Sequence, residues 1–146
     1  MPLSGEDILA IHHLATRYAL ATDNADVDGF MNCWADDRPV CFESVFGTLN
    51  TREAIREFED EHVNRGVAIG KRRQTTNLLV EEGEDADTAY LTNDVVIIEV
   101  KELPEIIATG RYNRSRVVRT AKGWRFQRRA LEVDTGYQEW LKIHDV

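Results

Sequence analysis

Tyr18 and Asp23, five residues apart on one candidate helix, are the side chains best suited to chemistry in this chain. A tyrosine hydroxyl keeps its proton near neutral pH and can donate to an oxygen on which negative charge develops. An aspartate held in an apolar pocket can have its pKa raised towards the range of a working base. Together the two could supply a hydrogen-bond donor, Tyr18, and a base or the orienter of a water, Asp23. The same residues also fit a plain structural role, Tyr18 as an inner-face core residue and Asp23-Asn24 as a solvated helix end. Asp94 shares a strand face with Tyr90, Val96 and Ile98, where a carboxylate needs a partner or a role. It reads either as a salt bridge to an arginine of the next strand or as a substrate-binding acid. Trp34 and Tyr112 are candidates for the wall of a substrate pocket or for the core. His12, His13, His62, His144, Cys33 and Cys41 show no metal-like spacing, so no metal is expected. Nor is there a phosphate loop, a dinucleotide fingerprint or a nucleophile elbow, and no cofactor is expected.

The elements that must position these groups follow from patterning. Ser4 and Asp7 form a capping-box-like start, and Ile8, Ile11, Ala15, Tyr18 and Thr22 recur on one helical face to about residue 22. Asp26 can cap a second helix with Val27, Phe30, Met31 and Trp34 as its stripe, ended by Pro39. A strand over 40–45 turns at Gly47 into a short partner at Thr48-Leu49. Thr51 caps a third helix with Ala54, Ile55 and Phe58 inward. Four long strands follow, over 73–82, 88–101, 106–120 and 124–133, with a short helix or tail over 137–143. Three helices and then an antiparallel meander predict a single α+β domain with helices on one face of a curved sheet. Val95 to Ile98 place apolar residues on both faces of one strand, which predicts a homo-oligomer, dimer or trimer.

The totals bound the function. One domain of 146 residues can bury a sizeable core without staples. No apolar run approaches a membrane span and no signal-peptide layout opens the chain, so a cytoplasmic protein without membrane contact is expected. The net charge of −8 argues against nucleic acid as a partner. Residues 1–70 carry 5 basic and 13 acidic side chains, whereas residues 106–130 carry 8 basic and none acidic. The simplest reading is a basic sheet that neutralises acidic helices within the domain or in a neighbouring subunit.

Several segments then fall together. Arg17-Tyr18-Ala19-Leu20-Ala21-Thr22-Asp23, Asp26-Val27-Asp28-Gly29-Phe30 and Cys33-Trp34-Ala35-Asp36-Asp37 resemble the first two helices of SnoaL-like proteins of the nuclear transport factor 2-like superfamily. Thr51 to Phe58 is similar to the third helix, and Thr76-Asn77-Leu78-Leu79-Val80, Gly110-Arg111-Tyr112 and Gly123-Trp124-Arg125-Phe126 to sheet strands. The resemblance implies a cone-shaped α+β barrel with a pocket beside the first helix. It further implies a cofactor-independent lyase or isomerase of the dehydratase or cyclase type, acting on a small hydrophobic cyclic molecule. In that frame Tyr18 and Asp23 match the tyrosine and aspartate of dehydratase-type members. Those members carry a histidine four residues before the asparagine matched by Asn77, and here that position is Arg73. An arginine stays protonated and cannot be the base. Arg73 and Asn77 would instead position a polar substituent of the substrate, although Arg73 also reads as part of the exposed basic run from Lys71. The missing histidine supports the alternative, a non-catalytic ligand-binding protein or an accessory subunit like the small subunit of aromatic-ring dioxygenases. Ketosteroid isomerase chemistry fits less well: its catalytic aspartate falls near Phe42, with Glu43 on the opposite strand face, and its oxyanion acid near Arg114.

Overall fold

The computed structural model describes residues 2–134 and Glu139; apart from Glu139, the helix or tail expected over 137–143 lies outside them. The chain runs α1 (Gly5–Asp23), α2 (Val27–Met31), β1 (Cys41–Ser44), β2 (Gly47–Leu49), α3 (Arg52–Asn64), β3 (Lys71–Glu82), β4 (Thr88–Glu99), β5 (Glu105–Thr120) and β6 (Gly123–Val133). Helix α1 starts at the expected box, with the Asp7 N–H donating to Ser4 Oγ and the Ser4 N–H to Asp7 Oδ2, both at 3.1 Å. Its buried face is Ile11, Leu14, Ala15, Tyr18, Ala19 and Ala21, while Ile8 lies 38 % exposed at the rim.

Helix α2 is shorter than its apolar stripe suggests, and Trp34 is outside it. Residues 33–35 leave the helix to bridge in parallel to Phe126 of β6: the Ala35 N–H donates to the Phe126 carbonyl, and the Phe126 N–H to the Cys33 carbonyl, each at 2.8 Å. The carbonyls freed at the helix end are bonded by Arg52 of α3, whose Nη1 donates to those of Met31, Trp34 and Ala35 at 3.3, 2.9 and 3.1 Å. One arginine thus fixes α2 against α3.

The sheet has the order β2-β1-β6-β5-β4-β3, parallel only between β1 and β6, and is open at β2 and β3. Register shifts in β3, β4 and β5 mark bulges that bend the long strands around the helices. The result is an α+β cone whose core lies between the helices and the inner sheet face, with Ile11, Leu14, Ile55, Leu91, Val117 and Phe126 fully enclosed. Odd-numbered residues 89–97 of β4 point inward and are buried, so Val95 and Ile97 join the core. Val96 and Ile98 face outward and are half-buried. The basic strands neutralise acidic groups of the same chain, through Arg119–Asp7 (3.2 Å), Lys122–Asp36 (2.6 Å) and Arg128–Glu43 (3.0 Å).

Candidate functional site

An apolar cavity opens between α1, α3 and the inner sheet face. Phe30, Phe42, Phe58, Val95, Ile97 and Leu131 form walls, and the hairpin residue Phe46 and the loop residues Val67 and Ala68 also line it. Five polar groups able to do chemistry line it too: Tyr18, Tyr112, Arg73, Glu59 and His62.

Tyr18 stands on the buried face of α1, its ring edge-on to Phe126 and Tyr112 at centroid distances of 5.4 and 6.0 Å. Burial pushes its pKa well up, with the Tyr112 hydroxyl acting in the same direction, so the phenol keeps its proton and can serve as a donor. Beneath these rings lies Arg129, 1 % exposed. Its guanidinium carbon is 3.6 Å from the ring centre of Tyr112, 4.1 Å from Phe126 and 4.5 Å from Tyr18. Nε donates to Ser115 Oγ (3.0 Å) and Nη2 to Asn93 Oδ1 (2.7 Å). Neutral partners and ring faces thus hold this cation, which fixes both tyrosine rings.

Asp23 does not line the cavity, which departs from its expected place as a base. It ends α1, where a carboxylate meets the negative end of the helix dipole, and Arg73 offsets that cost. The backbone N–H of Arg73 donates to both Asp23 oxygens (3.1 and 3.2 Å), and its Nη1 donates to Oδ1 (3.0 Å). Asp23 therefore anchors Arg73 at the cavity edge, and Arg73 belongs to the site rather than to an exposed basic run.

Three other expected substrate-binding residues lie elsewhere. Asn77 sits in a bulge of β3 at φ 52°, which turns it to the outer face, where Nδ2 donates to Asp94 Oδ2 at 2.8 Å. Asp94, at an outward position of β4, is clamped by Nε and Nη2 of Arg111, which with Asn77 hold its pKa down at about 2. It is the salt bridge to the next strand, on the far side of the sheet from the cavity. Trp34 is 2 % exposed, packed behind Tyr18 and against Phe42 in the core. Phe42 lines the cavity, whereas Glu43 pairs with Arg128.

Glu59 and His62 were not singled out from sequence. Ile55, Phe58, Glu59 and His62 fall at i, i+3, i+4 and i+7 on the inner stripe of α3, and a carboxylate inside an apolar stripe is the signal that identifies the site. Glu59 is 4 % exposed, lines the cavity and has no hydrogen bond or ion pair among the described residues. Burial pushes its pKa up to about 7 against the opposing charge of Arg73. His62 is held between Phe58 and Phe46, at ring distances of 4.1 and 5.6 Å, with Nδ1 2.8 Å from the Phe58 carbonyl oxygen. Burial lowers its pKa, keeping the ring neutral. Among the described residues, no group of three or more His, Cys, Asp or Glu side chains is placed to hold a metal ion.

The SnoaL-like domain model matches residues 4–130. The chain belongs to the SnoaL-like family. A comparison with curated proteins found no match for this SnoaL-like protein. Among solved structures it is similar to a protein of unknown function with a cystatin-like fold from Nostoc punctiforme, with 22 % identity over 92 % of this chain and 96 % of that one and a TM-score of 0.81. A candidate aromatic ring hydroxylase from Novosphingobium aromaticivorans shares 27 % identity over 91 % and 95 % of the two chains, with a TM-score of 0.72. A candidate scytalone dehydratase from the same species shares 20 % over 88 % and 84 %, with a TM-score of 0.69. The likenesses below a quarter identity establish the shared cone and nothing finer. No helix among the described residues of this SnoaL-like chain is long and apolar enough to cross a membrane.

Proposed function

We propose that this SnoaL-like protein is a cofactor-independent lyase or isomerase that moves a proton on a small, largely apolar cyclic molecule bound beside α1. The observation that carries the reading is Glu59, a buried carboxyl without a partner among the described residues, facing an apolar cavity and titrating near neutral pH. Such a group can accept or give a proton at pH 7, and leaving it unpaired costs stability that a purely structural site has no reason to bear. Tyr18 donates to the substrate oxygen as charge develops on it, and Tyr112 and Arg129 hold its ring. Arg73, anchored by Asp23, orients a polar substituent. Asp23 is a positioning residue in this scheme.

The outer-face apolar residues Val96, Ile98 and Ile106 support pairing with further copies of the chain, as a dimer or trimer. The function is tested by screening cyclic ketones, phenols and hydroxy acids, with co-purified ligands found by mass spectrometry. Turnover should fall by about 10²-fold or more in Glu59→Gln and in Tyr18→Phe. A co-purified ligand, retained by both variants with no turnover by the wild type, would show a binding protein instead.

A further inference from the structure

The polar groups that line the cavity are divided by kind. Tyr18 and Tyr112, on the α1 and sheet side, offer hydroxyl donors, and Arg73 offers donors only. Glu59 and His62, one turn apart on α3, offer acceptors. A carbonyl oxygen only accepts, so the His62 Nδ1 that meets the Phe58 carbonyl carries the ring hydrogen and leaves Nε2 as an acceptor. We infer that the cavity takes a cyclic ketone with an aliphatic amine at the end remote from its carbonyl, the amine being held as an ammonium by Glu59. The inference rests on the reading of the cavity as a substrate site given above, and adds the substrate class.

Charge is divided in the same way. Behind the two tyrosines lies the Arg129 guanidinium, 3.6 Å from the ring centre of Tyr112 and 4.5 Å from that of Tyr18, and its hydrogen-bond partners Ser115 and Asn93 are neutral. That wall favours an oxygen on which negative charge collects. Arg73 is already matched by Asp23 at 3.0 Å. Glu59 is buried and has no hydrogen bond or ion pair among the described residues. A carboxyl in that state either stays protonated or takes its partner from what binds beside it. An ammonium lets it ionise, because it brings the counter-charge and a charge-assisted hydrogen bond together. A ligand hydroxyl brings only the hydrogen bond, and a ligand carboxylate meets a like charge.

Around Glu59 the wall is aromatic. Phe58, its neighbour on α3, packs against Phe42 and Phe46 with ring centres 5.8 and 5.9 Å away, and all three rings line the cavity. Ring faces attract a cation that has left water, which offsets part of the desolvation that an ammonium meets here. The ligand then lies across the cavity, its carbonyl at Tyr18, its amine at Glu59 and its carbon frame against the rings.

Two ketone frames of different length test the class. They are 4-(aminomethyl)cyclohexanone and 6-(aminomethyl)-1-tetralone, each set beside its uncharged counterpart, 4-ethylcyclohexanone and 6-ethyl-1-tetralone. Isothermal titration calorimetry near neutral pH measures all four. At least one amine should bind the wild type about tenfold or more tightly than its ethyl counterpart. Glu59→Gln should lose that preference and keep its affinity for the ethyl compound within about threefold, whereas Glu59→Asp should keep part of the preference. Near-ultraviolet circular dichroism confirms that each variant is folded. Equal affinities within both pairs for the wild type would overturn the inference. So would an amine preference that persists in a folded Glu59→Gln. Solvent deuterium entering beside the carbonyl of the four ketones tests the proposed function separately. Exchange without an amine preference would overturn this inference alone, and an amine preference without exchange of any of the four would uphold it and overturn the proposed function.

Discussion

Replacing Glu59 with glutamine should stabilise the protein in alkaline solution and do little in acid. The carboxyl has its pKa moved from 4.5 to about 7 by burial. A group whose pKa is raised on folding contributes stability that is fully present below its unfolded value and is lost as pH rises through its folded value. Here the window runs from 4.5 to about 7. A displacement of that size weighs against the charged form by roughly 3 kcal/mol, of which about 2.5 kcal/mol develops between pH 5 and pH 8. Glutamine keeps the shape and cannot ionise. Urea unfolding of both proteins at the two pH values isolates the effect, because every other titrating group is common to them and cancels in the difference. The wild type should lose about 2.5 kcal/mol more than Glu59→Gln on going from pH 5 to pH 8. Parallel pH dependences would mean that the carboxyl is solvated or paired, and the argument that it is held for chemistry would collapse. The same variant should lose turnover, the usual exchange of stability for activity at a working site.

Other outcomes follow from the same geometry. Turnover should change as pH rises through about 7, where Glu59 ionises against its burial and with the Arg73 cation nearby, and a flat profile would contradict the role given to Glu59. Arg73→Ala leaves the Asp23 carboxylate, 6 % exposed, without its counter-charge and should cost about 3 kcal/mol in urea unfolding, whereas a loss under about 1 kcal/mol would place the pair in solvent. Asp94→Ala on the outer face should change stability by less than about 1 kcal/mol and leave turnover unaltered, and a large loss of turnover would return Asp94 to the site. Light scattering should give a dimer or trimer, and a monomer at working concentrations would remove the role given to Val96, Ile98 and Ile106.

Much of the fold was legible because local signals agreed with the tertiary arrangement. The Ser4–Asp7 box, the Thr51 cap and the turn glycines Gly47 and Gly123 place element ends within a residue or two of where they lie. Trp34 was misplaced because helical spacing continues through it, while a bridge to Phe126, 92 positions away in the numbering, takes the backbone out of the helix. Asn77 was misplaced because a bulge changes which face a strand residue occupies, and nothing local announces it. The face of Asp94, in contrast, follows simple alternation, and its partner was foreseeable as an arginine of the next strand. Arg129 and Arg73 carry no local mark that separates a buried cation from the surface arginines beside them; only the aromatic rings and the carboxylate brought in from other elements make the difference. Glu59 was readable in principle, since it interrupts the apolar stripe of α3.

The most direct test of the account is solvent deuterium incorporation into 3-phenylcyclohexanone by the wild-type protein, set against Tyr18→Phe and against buffer. A proton-transfer cavity predicts incorporation beside the carbonyl at least about 10²-fold faster than in buffer, and most of that gain lost when the Tyr18 hydroxyl is removed. Incorporation at the buffer rate, with the ketone shown to bind, would contradict it.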